Sequence, residues 1–394
     1  MVPSTITFAR FCSAIRGKGV FVLCLALCMY APGSTTSAKQ PRIVSFDAPG
    51  ADLNPADYAG TYPSGINGWG VITGAYQSAD TVFHGFLRGP GGEFITFQAP
   101  GADTTAGSYN GTYPNSINDQ GAVTGIYADA NGFGHAFLRS PDGKFTSFDV
   151  PGGAGFGTTP RGINLEGAVV GVYIDSNYSF HAFLRSPEGK FTTWDGPNAC
   201  TGNGSQGCYG SGASNINAFG IVVGGFEDNN GNFVHHAFVR NAEGKLKVLD
   251  VPEAGSGNYQ GTGCPGCNLG LNQLGAIAGT YIDANSVNHG FVRSPEGKFT
   301  TFDAPGAGTN SYQGTGCPSD CPVSINDLGA ITASYWDANY VSHGYLRNPD
   351  GKIVTVDPPG STYTFPDGIN DWGVVTGYYV DSNNVVHGFL RLPN

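Results

Sequence analysis

Charge is scarce in this 394-residue chain, where Asp, Glu, Lys and Arg make up 12% of residues. What charge there is leans acidic, with 30 Asp and Glu against 19 Lys and Arg. That balance excludes a nucleic-acid partner, which needs a basic face. Only Asn241–Lys247 concentrates lysine locally. Helical periodicity is absent over any useful length, which removes the helical fold classes. No run beyond residue 31 could span a bilayer, so the chain is expected not to be membrane-spanning. It also lacks a G-x-S-x-G elbow and any strand–Gly-loop–helix phosphate cradle, so no cofactor and no catalytic residue are assigned.

What is present is repetition. The stretch Ser116–Pro151 recurs with drift almost to the C-terminus, and its Asn falls at Asn67, Asn118, Asn164, Asn217, Asn272, Asn326 and Asn370. Its His falls at His84, His135, His181, His236, His289, His343 and His387, and an Arg follows four residues after each. The His spacings are 51, 46, 55, 53, 54 and 44, so a constant core alternates with one elastic loop.

Each copy reads as four short strands. In the second copy they are Ser116–Asn118, Ala122–Asp129, Gly134–Ser140 and Lys144–Val150. The intervening Asp, Asn and Gly residues accept the positive φ that tight turns need. A four-stranded antiparallel unit repeating near 50 residues marks a β-propeller blade. The seventh copy stops after its third strand, and the missing fourth matches Arg42–Pro49 at the other end of the chain. The expectation is an all-β, seven-bladed β-propeller closed by an N-terminal outer strand, which removes an open sheet edge.

Residues 1–38 have the plan of a signal peptide: basic Arg10, Arg16 and Lys18, apolar Val20–Ala31, then small Thr36–Ala38. Leu27 stands directly before Cys28, where a lipidation site wants a small residue. Residues 39–394 form the single propeller domain, with a net charge near −14 once the three leader cations are gone. Six cysteines remain, Cys200, Cys208, Cys264, Cys267, Cys317 and Cys321. An even count in an exported chain points to disulfides. Cys200 with Cys208, Cys264 with Cys267 and Cys317 with Cys321 are the local pairings, and cross-loop pairs stay open. The expected location is secreted or periplasmic, in the cell envelope.

The segments His135–Phe137, His181–Phe183 and His236–Phe238, with the recurrent G-I-N-x-x-G motif, resemble the HAF-type extracellular repeat family of bacteria. The resemblance covers residues 42–394. It implies an exported repeat protein and no catalytic set.

A His in every copy reads as structure, hydrogen-bonded across blades. The strand-two glycines read as packing positions filled by an aromatic from the next blade. The D-x-N turns read as Asx turns, because the ligand set of a calcium loop is incomplete. No metal is assigned. The informative variation lies in the loops, which should gather on one rim. Tyr58, Tyr109, Tyr259 and Tyr312 recur there as Tyr-x-Gly-Thr, offering flat faces with a polar tip, beside the cysteines. The expected function is a non-catalytic binding module, a monomer that takes a glycan or an extracellular protein partner. A structural envelope or matrix protein and a secreted polysaccharide-degrading enzyme are the alternatives.

Overall fold

The computed structural model describes residues 42–393, apart from 56–57, 109, 201–208, 230, 265 and 317–321. Of residues 154–156 only the backbone is described. Tyr109, Cys208, Cys317, Cys321 and the whole leader therefore lie outside the described residues. The described residues belong to one compact unit. No helix occurs among the described residues, and strands are joined by turns throughout.

In the second repeat the strands are Thr112–Ile117, Val123–Ala128, Gly134–Arg139 and Phe145–Phe148, paired antiparallel in that order. The first strand starts four residues earlier than its sequence suggests. Thr112 and Tyr113 pair with Tyr127 and Ile126 before a bulge between Pro114 and Ser116. The proline is tolerated because this strand is an edge, with no further strand to receive its missing N–H. The strands Ser361–Ile369, Val375–Asp381 and Val386–Leu392 form the last sheet, and its fourth strand is Arg42–Phe46. Arg42 pairs with Leu392 and Phe46 with Gly388.

The strand-two glycines are closed off from within their own sheet. A Cβ on Gly74 would lie 2.6 Å from the Cα of Pro63 on strand one and 2.8 Å from the Phe86 ring on strand three. The next-blade aromatic expected from the sequence is replaced by a ring on the adjacent strand of the same sheet, since Gly74 pairs with Phe86. Core side chains then bury between neighbouring sheets. Ala99 and Phe97 of the first repeat pack with Ile117, Val123, Tyr127 and Phe137 of the second. Phe46 and Leu390 of the last sheet pack with Ile72, Tyr76 and Phe86 of the first in the same way. Each such buried Phe contributes about 1.5–3 kcal/mol.

The repeat arginines also join sheets. The Arg139 guanidinium sits 4.9 Å from the Phe97 ring of the preceding repeat, and Arg240 sits 4.5 Å from Trp194. These are cation–π contacts, with Arg139 buried and Arg240 half-buried. The hydrogen bond of Arg139 Nη1 goes to the Ser140 carbonyl of its own turn, so contact across blades is by stacking.

Candidate functional site

The turns within a repeat sort onto two faces, because the strands alternate in direction. The first-to-second and third-to-fourth turns share a turn face. A Cβ on Gly121 would meet Pro141 of the next such turn at 3.9 Å. The second-to-third turns and the loops between repeats share the opposite, loop face. There Tyr58 N donates to Asn384 O, 3.1 Å away, and Tyr312 N to Ser286 O at 2.7 Å.

A channel of about 790 Å³ runs between the first strands of all seven repeats. Its end near the turn face is ringed by the repeat asparagines. Each Asn donates from Nδ2 to the carbonyl of the next: Asn67 to Asn118, Asn118 to Asn164, Asn164 to Asn217, Asn217 to Asn272, Asn272 to Asn326 and Asn326 to Asn370. Asn370 donates back to Asn67 O at 3.3 Å. Each Asn also caps its own turn; Asn370 Oδ1 accepts from Trp372 N and Val374 N. This explains why Asn recurs: no other side chain of that length both donates outward and accepts twice.

Three residues before each Asn, the channel wall varies as Ser64, Asn115, Arg161, Ser214, Leu269, Val323 and Asp367. Arg161 reaches across the channel to Asn268 Oδ1 at 3.2 Å and to the Gly266 carbonyl. Gly266 and Asn268 flank Cys267, which is disulfide-bonded to Cys264, so the staple is tied to the channel wall. Cys200 is also disulfide-bonded. Asp367 has no such support. Its Oδ2 is shut off from solvent without a hydrogen-bond partner. Burial pushes its carboxyl well above the usual carboxylate range. Beside it the Tyr62 and Tyr378 rings meet edge to face at 5.4 Å, and burial takes the Tyr62 hydroxyl up to about 12. At the channel mouth the carboxylates are already engaged: Asp119 accepts from Gly68 N, Asp327 from Gln273 N and Asp371 from Asp327 N.

The repeat histidines lie at the loop face, bonded within their own sheet rather than across blades. His181 Nδ1 is 3.0 Å from Asp195 at the end of strand four, and its Nε2 is 3.5 Å from Asp175 in the D-x-N turn. His135, His236, His289 and His343 repeat both contacts, and His387 takes Asp47 and Asp381. The reason is register. Strand three begins beside the end of strand four, so a cross-strand partner sits closer than any neighbouring sheet. The hydrogen bond to Asp195 raises the His181 pKa against opposing burial. In the first repeat Ser78 and Gln98 replace the acids, and burial lowers His84. In the D-x-N turns Asp129 Oδ1 accepts from Asn131 N and Phe133 N, as in an Asx turn. No group of three or more metal-ligating side chains is gathered among the described residues.

Of the four candidate tyrosines, Tyr58 and Tyr312 are about half exposed on the loop face. Tyr259 is half-buried and stacks on Phe233, with ring centroids 5.8 Å apart. All three share a left-handed backbone, with φ of 51°, 64° and 57°. The Gly-Thr half of their motif belongs to the next strand. Thr61, Thr112, Thr262 and Thr315 are fully buried, and each Oγ1 accepts from the backbone of the preceding repeat's end. Sequence reasoning missed Tyr178 and Tyr340, which follow D-x-N directly and are about half exposed. Tyr340 Oη donates to Ser311 O at 3.3 Å, placing it against the Tyr312 loop. Tyr209, also exposed, meets Phe180 of the Tyr178 turn edge to face at 5.8 Å. The signal was there, a Tyr in the fourth position of two turns, but it reads as loop filler without the neighbour.

No protein-family model matches the chain, and no curated protein matches it by sequence. Among solved structures it is similar to prolyl endopeptidases, with a TM-score of 0.54 and 14% identity over 82% of this chain and 46% of theirs. TolB from Acinetobacter baumannii gives 0.42 and 11% over 73% and 64%, so the chain spans roughly half to two thirds of these two proteins. An Aleuria aurantia lectin in complex with alpha-methyl-L-fucoside gives 0.41 and 9% over 81% and 97%. At these identities the likeness concerns the fold alone. The described residues form an all-β protein with four four-stranded antiparallel sheets and one 14-stranded sheet, and its structural neighbours are β-propellers.

Proposed function

We propose that this is an exported seven-bladed propeller of the HAF-type repeat kind, closed by Arg42–Pro49, that binds glycan on its loop face without catalysis. The observation that supports it most is the gathering of exposed tyrosines at adjoining turns: Tyr340 bonds to Ser311 beside Tyr312, and Tyr209 packs on Phe180, two residues after Tyr178. These tyrosines offer flat apolar faces with polar tips, which suits stacking on sugar rings. Short hydrogen-bonded turns hold the backbone, so little ordering is lost on binding. Closure is supported by the return bond from Asn370 to Asn67 and by the first strand's place beside Val386–Leu392. Tyr58 and Tyr259 line the same rim, and Tyr259 serves more as an anchor for its loop than as a free platform. Binding is therefore strongest at Tyr312, uneven around the ring, and carried by a monomer.

The test is a glycan screen of the exported protein beside a Tyr312→Ala/Tyr340→Ala variant. The reading expects capture to fall at least about tenfold, with the melting temperature within a few degrees. Capture unchanged in the variant, or no glycan captured by the parent, contradicts it.

A further inference from the structure

The turn face carries an apolar ornament that the glycan reading does not use. The residue two after each repeat Asn sits at the tip of a turn beside the channel mouth. In five successive repeats it is large and apolar: Phe219, Leu274, Leu328, Trp372 and Trp69. Each is 67% to 74% exposed. The Asn370-to-Asn67 bond makes Trp372 and Trp69 neighbours, so the five form one unbroken arc. Gln120 and Glu166, both exposed, occupy the remaining arm.

The tips are held still. Asn217 Oδ1 accepts from Phe219 N and Ile221 N, and Asn67 Oδ1 accepts from Trp69 N and Val71 N. The indoles have also satisfied their one polar atom inside the protein. Trp69 Nε1 donates to Asp119 O and Trp372 Nε1 to Gly68 O, both at 2.9 Å. What remains outside is apolar surface alone, and exposed patches of that kind mark contact sites.

Charge gives the arc a partner and an orientation. Every lysine after residue 42 belongs to the outer turns of this face or the strand start beside them: Lys144, Lys190, Lys245, Lys247, Lys298 and Lys352. Each of the five turns holds one acid beside its lysine, such as Asp142 at 2.8 Å from Lys144, so the ring is of mixed charge. The opposite face carries the D-x-N and strand-four carboxylates with no lysine at all among the described residues. The chain also enters its first strand on the turn side, since Arg42 pairs with Leu392.

We propose that the turn face docks on a lipid bilayer surface containing anionic headgroups, with the Phe219-to-Trp69 arc dipping into the interface. Trp at interfacial depth, aliphatic tips beside it and lysines outside them form the pattern of a peripheral membrane contact. The acidic loop face is repelled by such a surface and points away, free to bind. A bilayer is favoured over a protein or a sugar because the tips are separate and ring a polar channel. They leave no continuous groove for a helix or strand, and leucine tips offer a sugar no flat face.

The test uses residues 40–394, the compact unit, with vesicles of phosphatidylglycerol and phosphatidylethanolamine and with vesicles of phosphatidylcholine alone. Expected are sedimentation with the anionic vesicles, weaker sedimentation with the zwitterionic ones, and quenching of tryptophan emission by shallow brominated lipid. The Trp69→Ser/Leu274→Ser/Leu328→Ser/Trp372→Ser variant should partition at least about tenfold more weakly with an unchanged melt. If that variant fails to fold, the quenching in the parent decides alone. Three results overturn the proposal: no vesicle binding and no quenching by the parent, a folded variant that binds as the parent does, or a vesicle-free parent dimer that the variant turns into monomer. The last would assign the arc to a second copy. None of these touches the glycan reading, whose residues lie on the other face.

Discussion

The two faces of this protein are built from the same repeats and have opposite chemistry. On the turn face the connections are short, and every first-to-second turn is capped by one asparagine, so geometry there hardly varies and only the tip side chain changes. On the loop face the connections between repeats vary in length, and acids and tyrosines gather there. The difference shows how a repeat protein divides its labour. Where the backbone is fixed, a single position can be varied around the ring without cost to the fold. Where length is free, pairs of side chains from different loops can be brought together.

The sharpest break in that comparison removes the N-terminal strand on which the proposed closure depends. Deleting residues 42–49 takes Phe46 from its packing on Ile72, Tyr76 and Phe86 and leaves His387 without Asp47. The loss should be on the order of 5 kcal/mol or more and end cooperative unfolding, read by urea titration. A deletion variant with the parent's midpoint would contradict closure.

Next in size is a cut at the turn face alone. Asn370→Ala removes two turn caps and the bond to Asn67. We expect about 1–3 kcal/mol of destabilisation, because two part-buried backbone donors and the buried Asn67 carbonyl lose their partner. A loss under about 0.5 kcal/mol would mean that the ladder accompanies closure without supporting it.

Asp367 should respond in the other direction. A folded-state pKa above the unfolded value means that this carboxyl costs stability once pH exceeds the unfolded pKa near 4, and the cost grows until pH passes the folded value. Asp367→Asn should therefore gain about 1–3 kcal/mol at pH 7 and little at pH 4. A loss at pH 7 would show that the channel needs the charge.

The loop face should show the smallest effect, spread over several groups. Hydrogen bonds donated to Asp195, Asp250 and Asp303 raise the pKa of His181, His236 and His289. Their stabilisation is fully present below about pH 6.5 and is lost as pH rises through the folded values. Each contributes a few tenths of a kcal/mol, roughly, after solvent screening. His84 is lowered by burial and shifts the balance the other way. At the acid end Asp129, held low first by the Phe133 N–H, gives up its contribution as pH falls through its folded pKa below about 3.8. The melting temperature should thus be higher at pH 5.5 than at pH 8.5. His181→Gln should shrink that difference and His84→Gln should not.

Much of this was legible in the sequence because repetition multiplies each signal. A lone Asn-x-x-Gly is only a turn, whereas the same pattern in every copy marks one layer of the sheets. The four strands per repeat and the fourth strand supplied by residues 42–46 follow from that pattern. The direction of side-chain contacts did not. The histidines and strand-two glycines were expected to reach the next blade, but strand register gives them nearer partners in their own sheet. The Tyr-x-Gly-Thr motif looked like one loop unit, yet its Thr is a buried staple and only its Tyr faces solvent. Asp367 was invisible as a special acid, since nothing in a one-dimensional pattern says that its neighbours around the channel lack a donor for Oδ2. The tips Phe219, Leu274, Leu328, Trp372 and Trp69 were written in plain sight, but their exposure depends on the turn's orientation.

The division between faces is tested most directly by measuring two ligands against two variants. The parent, Tyr312→Ala/Tyr340→Ala and the four-site turn-face variant are each titrated with the captured glycan and with anionic vesicles. The account expects a clean crossing: the loop-face variant loses glycan and keeps vesicles, and the turn-face variant loses vesicles and keeps glycan. Loss of both ligands in one folded variant, with neither lost in the other, would contradict it.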